Sequence, residues 1–150
     1  MQHISRAKPM AHAMQSECLG LRVARLHRLI RRRFDQELRP LGLSTSQLGV
    51  LSALTIHGSA VKPAQLAEWL ATERSTVSRN LSLLEAKGLV VPAEVSASGR
   101  SMAVAITDRG SEALGGAENA WHRVQASLTD LLGDEAPEKL DTWLDRLTEA

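Results

Sequence analysis

The sequence predicts a mainly α-helical chain interrupted by one small β-hairpin, on three observations. Apolar residues recur every three or four positions through most of the chain, the spacing of one helix face. Between about residues 89 and 106 the apolar period falls to two, which marks strands. Capping and breaking residues then divide the pattern into separate elements. With 150 residues, 43% of them hydrophobic, the chain suits one domain, or one domain with a helical extension.

Residues 1–15 mix small, polar and basic types without period and read as a flexible arm. A long helix is expected over 16–42. Leu19, Val23, Leu26, Ile30, Phe34, Leu38 and Leu41 form one face, and Arg22, Arg25, Arg28, Arg31, Arg32 and Arg33 form the other. Pro40 and Gly42 close it. Ser44-Thr45-Ser46-Gln47 has the form of a capping box, in which Ser44 and Gln47 satisfy orphan backbone N–H groups. A short helix follows, with Leu48, Leu51 and Leu54 inward, ending near His57-Gly58. Pro63 suits the first turn of the next helix, which carries Ala64, Leu66, Ala67 and Leu70.

Ala71-Thr72-Glu73 is a tight connection, and another helix runs from about Arg74 to Lys87, where Gly88 stops it. Leu89-Val90-Val91 and Met102-Ala103-Val104-Ala105-Ile106 read as two strands around an exposed tip, Ser96-Ala97-Ser98-Gly99-Arg100. Thr107 caps a helix carrying Leu114, Trp121, Val124, Leu128 and Leu131 as far as Gly133. A last amphipathic helix holds Leu140, Trp143, Leu144 and Leu147. Trp69, Trp121 and Trp143 are expected in the core or in an interface.

Two short helices, a tight turn, a longer helix and a hairpin make a winged helix-turn-helix lobe over 43–107, between helical segments 16–42 and 108–150. The major groove of B-DNA admits one α-helix, braced by the helix before it. The helix that enters must be apolar on one side and short-polar or basic on the other. Val77, Leu81 and Leu84 form the apolar stripe, while Arg74, Ser75, Thr76, Ser78, Arg79 and Asn80 project elsewhere. Arg offers paired donors to guanine, Asn brackets adenine, and hydroxyls bind phosphates. Arg100, at the hairpin tip, is placed to enter the narrower minor groove.

These residues resemble the MarR (multiple antibiotic resistance regulator) family. The resemblance rests on Leu41-Gly42-Leu43-Ser44-Thr45-Ser46-Gln47-Leu48, Leu66-Ala67, Ser75-Thr76-Val77-Ser78-Arg79, Leu84-Glu85-Ala86-Lys87-Gly88-Leu89-Val90, Gly99-Arg100 and Ile106-Thr107-Asp108-Arg109-Gly110. It implies a homodimeric transcription regulator, usually a repressor, that binds double-stranded DNA and is released by a small aromatic effector or by oxidation. It also implies that the first and last helices form the dimer interface. Two copies would then set two reading helices about one turn of DNA apart, on a pseudo-palindromic site. Where the family's wing commonly has an Asp before its arginine, this chain has Ser98, which leaves Arg100 less rigidly aimed.

Two places are candidate sensors. Cys18 lies at the start of the long helix with Arg22 one turn on, so it reads either as a reactive thiol or as a small interface residue. The peroxide-sensing branch of the family uses tyrosine hydroxyls around its thiolate, and this chain has no tyrosine. His27 and Arg31 share the long helix and are the candidates to face an effector pocket between dimerisation helices and DNA-binding lobe.

Charge divides the chain. Residues 1–110 hold 15 Lys and Arg against 8 Asp and Glu, and residues 111–150 hold 3 against 9. A basic body with an acidic tail fits one part that meets a polyanion. No run approaches the roughly eighteen apolar residues of a membrane span, and the first residues lack a signal-peptide core. One cysteine suits a reducing cytoplasm. No glycine-rich phosphate loop, nucleophile elbow or zinc-ligand spacing is present, so no enzyme, cofactor or metal site is expected. Two readings from other classes stay open: a thiol redox switch through Cys18, and a winged-helix protein-interaction module. Arg74, Arg79 and Arg100 speak against the second.

Overall fold

The computed structural model describes residues 2–94 and 102–149. The chain forms two compact units, 1–33 and 34–150. The first holds helix α1 (Gln2–Glu17) and most of helix α2 (Leu19–Leu38), which part at Cys18. The structure is therefore helical where the sequence reads as a flexible arm. Ala7, Ala11 and Ala13, with Met10, Met14 and Gln15, are strong helix formers and outweigh Pro9, which removes one backbone bond inside the helix. The Ser16 hydroxyl donates to the His12 carbonyl at 2.8 Å, and the Arg22 guanidinium donates to the Ser16 carbonyl.

The second unit opens with the last turn of α2, where the predicted apolar face goes inward at Phe34 and Leu38. A short 3₁₀ turn (Arg39–Leu41) follows, then α3 (Thr45–His57). The capping box is complete: Ser44 Oγ accepts from Gln47 N–H, and Gln47 Oε1 accepts from Ser44 N–H, both at 3.3 Å. Asp35 Oδ1 also accepts from the Thr45 N–H at 2.7 Å and from its hydroxyl at 2.6 Å. The end of α2 and the start of α3 are thus tied by a link too distant in sequence to be read there.

Next come α4 (Pro63–Trp69), α5 (Arg74–Ala86) and the hairpin β1 (Val90–Glu94) and β2 (Met102–Ile106). The strands pair antiparallel, with Val90 opposite Ile106 and Pro92 opposite Val104. Val61 exchanges both of its backbone hydrogen bonds with Val104 at 2.9 Å, adding a one-residue third strand. Leu51, Leu54, Val61, Leu66, Val77, Leu84 and Val90 are buried to 1% exposure or less. Each stabilises the lobe by roughly 1.5–3 kcal/mol relative to exposure.

Gly88 sits at φ +70, and the Leu89 N–H returns to the Leu84 carbonyl at 2.9 Å, so α5 ends in a Schellman motif. Thr107 then caps α6 (Asp108–Gly116) by accepting from the Gly110 N–H at 3.0 Å, and its hydroxyl donates to the Gly88 carbonyl at 2.8 Å. Gly110 answers a close approach, since a Cβ there would stand 2.1 Å from the Leu89 carbonyl oxygen.

The sequence predicts one helix from Thr107 to Gly133, and the structure has two. Gly115-Gly116, the poorest helix formers in that stretch, end α6, and α7 (Glu118–Leu132) starts after Ala117. Ala120, Val124 and Leu128 of α7 are buried. The Arg123 guanidinium donates to Glu37 Oε2 from both Nε and Nη2, at 3.1 and 3.0 Å. The last helix, α8 (Ala136–Thr148), has no buried residue. At its start Lys139 Nζ donates to Glu135 Oε1 at 3.0 Å, which holds that carboxyl below the usual range. Trp69, Trp121 and Trp143 are 48%, 41% and 54% exposed, so none belongs to the core of the single chain. Among the described residues no helix is long and apolar enough to cross a membrane.

Candidate nucleic-acid interface

The interface starts with the turn between α4 and α5. The Ala71 N–H donates to the Glu68 carbonyl at 3.1 Å, and the Thr72 N–H donates to the Ala67 carbonyl at 3.0 Å. Ala71 takes φ +46, a left-handed conformation that non-glycine residues seldom adopt. The reversal is therefore short and closed by the backbone, and α5 leaves it in a set direction. Glu73 forms the N-cap with no side-chain cap bond.

On α5 the predicted division of faces is present. Val77, Leu81 and Leu84 are buried; Arg74, Ser75, Ser78 and Arg79 are exposed. Thr76 and Asn80 are half-buried, and Asn80 Nδ2 donates to the Thr76 carbonyl at 3.0 Å. One of the Asn80 amide hydrogens is thus used within the helix itself. The exposed set clusters in the first two turns, on the side away from the lobe core. Arg100, with the whole tip from Ser96, lies outside the described residues.

The far end of α5 is held by Lys87. Its ammonium donates to the Gly42 carbonyl at 2.5 Å and to Gln47 Oε1 at 3.3 Å. Gln47 is the buried polar residue of the lobe, so the capping box of α3 and the end of α5 share one acceptor. Sequence reasoning missed this contact, since nothing local marks Lys87 apart from any other lysine.

Two clefts border α3. One, of about 560 Å³, is lined by Phe34, Thr45, Leu48, Ser52, Leu114 and Trp121, with Glu118 and His122 on α7. His122 Nε2 stands 3.7 Å from Glu118 Oε1, and its ring meets Trp121 edge-on at 5.0 Å. The other, of about 490 Å³, lies between α3 and α4, where the His57 and Trp69 rings are 4.9 Å apart. His27 and Arg31 are exposed on α2 and line neither cleft. Cys18 is half-buried at the break between α1 and α2, and its carbonyl accepts from the Arg22 N–H at 3.2 Å. Among the described residues no group of His, Cys, Asp and Glu stands together to hold a metal ion.

The MarR family model matches residues 41–101, from the end of the 3₁₀ turn into the hairpin. The chain is similar to the M. tuberculosis transcriptional regulator MosR, with TM-score 0.75 and 29% identity over 89% of this chain and 97% of that one. Against MosR in complex with DNA the values are 0.73 and 30%, at the same coverage. This chain belongs to the MarR family. It is a DNA-binding transcription regulator, and its relatives are regulators rather than enzymes. The transcriptional repressor CouR, bound to a 23-mer DNA duplex, matches at TM-score 0.75 and 28% identity, covering 90% of this chain and 95% of that one. A further fold match is the organohalide-sensing transcriptional regulator RdhR in its 2,4-dichlorophenol-bound form, with TM-score 0.77 and 22% identity, covering 87% of this chain and 78% of that one. No protein of curated function matches the sequence.

Proposed function

We propose that the chain is a homodimeric repressor whose two α5 helices read adjacent major grooves of a pseudo-palindromic operator. The observation that carries this is the division of α5: Arg74, Ser75, Ser78 and Arg79 outward, Val77, Leu81 and Leu84 inward, after a closed turn. Arg79 is the base-reading candidate, with paired donors matched to guanine. Arg74, Ser75, Thr76 and Ser78 take phosphate or base-edge roles, and Asn80 keeps its carbonyl and one amide hydrogen for adenine. Arg100 reaches the minor groove from the wing. Repression is supported by the similarity to CouR, a repressor captured on DNA.

Dimerisation is supported by the exposed apolar side chains of the terminal helices. Leu19 and Val23 on α2 and Trp143, Leu144 and Leu147 on α8 are each more than half exposed in the single chain. Exposed apolar side chains on a regulator mark partner surfaces, and a second copy satisfies each with two-fold symmetry. A small aromatic effector is supported by the cleft beside Phe34 and Trp121, which offers ring faces and the hydroxyls of Thr45 and Ser52. The dichlorophenol in RdhR is a ligand of that chemistry.

The test is selection of bound sequences from random DNA, followed by mobility shifts with Arg79→Ala. The variant should lose roughly 1–3 kcal/mol at one base position and become indifferent to the base there. Uniform weakening across all sequences would make Arg79 a phosphate contact instead.

A further inference from the structure

Residues 19–34 of α2 contain six arginines and not one Asp or Glu. All six are exposed. Arg22/Arg25, Arg25/Arg28 and Arg28/Arg32 are three or four positions apart, so like charges sit side by side and disfavour the helix. None of Arg25, Arg28 and Arg32 has a hydrogen bond or ion pair among the described residues. At about 100° per residue these three fall within about 60° of one another. They centre about 180° from the stripe of Leu26, Ile30, Phe34 and Leu38. The ridge therefore lies on the opposite side of α2 from Phe34 and Leu38, which are buried within the chain. What complements a row of unpaired guanidinium groups is a row of phosphates.

We propose that the Arg25, Arg28 and Arg32 ridge of α2 is a second, sequence-independent DNA contact that binds phosphates of the duplex beyond the bases read by α5. The inference rests on α5 binding DNA. Once α5 is seated, the ridge is tethered to the same duplex by chain continuity, since Arg32 lies only six residues before the buried Leu38. A weak contact is then strengthened by high effective concentration. Arginine suits this role because its fork binds phosphate oxygens in pairs without regard to sequence.

The experiment titrates salt against anisotropy for the full chain on two duplexes, the selected site alone and the same site with long flanks. Arg25→Gln/Arg28→Gln/Arg32→Gln should match wild type on the bare site. On the flanked duplex it should lower the slope of log affinity against log salt by roughly 2–3 per protomer. Arg25→Lys/Arg28→Lys/Arg32→Lys should restore the slope, which loss of packing would not permit. Equal slopes for wild type and the Gln variant on the flanked duplex would overturn the proposal. So would altered self-association in sedimentation with an unchanged DNA slope, which would make the ridge a subunit contact. Failure of the α5 reading looks different: Arg79→Ala would then bind the bare site as wild type does.

Discussion

The lobe built on α3, α4, α5 and the hairpin, and the terminal helix α8, spend similar apolar residues in opposite ways. In the lobe, Leu51, Leu54, Leu66, Val77 and Leu84 are sealed from water. On α8, Leu140, Trp143, Leu144 and Leu147 are 37–80% exposed, and no residue is buried. Apolar residues recur at helical spacing in α5 and in α8 alike. The contrast teaches that periodicity reports a face that wants covering, while only the rest of the chain decides whether one protomer can cover it.

The sharpest way to break this comparison is a pair of truncations. Leu51→Ala should destabilise the chain by roughly 2–5 kcal/mol, because it empties a closed site. Leu147→Ala, at 80% exposure, should leave the unfolding midpoint of dilute protein nearly unchanged. Denaturant unfolding of both variants decides it, and a comparable loss for Leu147→Ala would mean α8 is already covered within one chain.

A second measurement sharpens the other half. Trp143→Ala should weaken self-association at least tenfold, about 1.4 kcal/mol, in sedimentation equilibrium. An unchanged dissociation constant would remove α8 from the subunit interface. Smaller again is Ser44→Ala, expected to cost about 1 kcal/mol through loss of the N-terminal cap of α3, measured by thermal unfolding.

The smallest effect belongs to α8 itself. Glu135 is held below its ordinary range by the hydrogen bond from Lys139, so the folded chain binds that proton less readily than the unfolded one. Its contribution is present above the ordinary carboxylate range and is lost as pH falls through the lowered value. Glu135→Gln and wild type should therefore differ slightly near neutral pH and converge as pH falls well below the ordinary carboxylate range in thermal melts.

What was legible in the sequence follows the reach of each interaction. Ser44 and Gln47 are three residues apart, so their capping box could be read whole, as could the stop at Gly88 and the cap at Thr107. The α5 stripe was legible for the same reason: Val77, Leu81 and Leu84 state a period without outside help. The links of Asp35 to Thr45, Glu37 to Arg123 and Lys87 to Gln47 were not legible, since each joins segments that only the fold brings together. A single bridged residue such as Val61 shows no alternation at all.

Other misreadings came from weighing a visible signal wrongly. Residues 1–15 show no apolar period, yet Ala7, Ala11 and Ala13 favour the helix α1, and Gly115-Gly116 divide the longer apolar period that follows Thr107. On α5 the exposed side chains were legible and the back-bonding of Asn80 to Thr76 was not, because a side chain's choice between solvent and its own backbone leaves no trace in spacing.

The bridge from Val61 to Val104 settles one more matter. Because the N–H and carbonyl of Val104 turn toward Val61, its partner across the hairpin, Pro92, has its imide nitrogen turned to the outer margin of β1. At that point an ordinary residue would hold out a donor to any passing extended chain, and proline holds out none. One flank of the little sheet is occupied and the other is blunted, so a protein crowded along nucleic acid resists stacking its hairpins into aggregates.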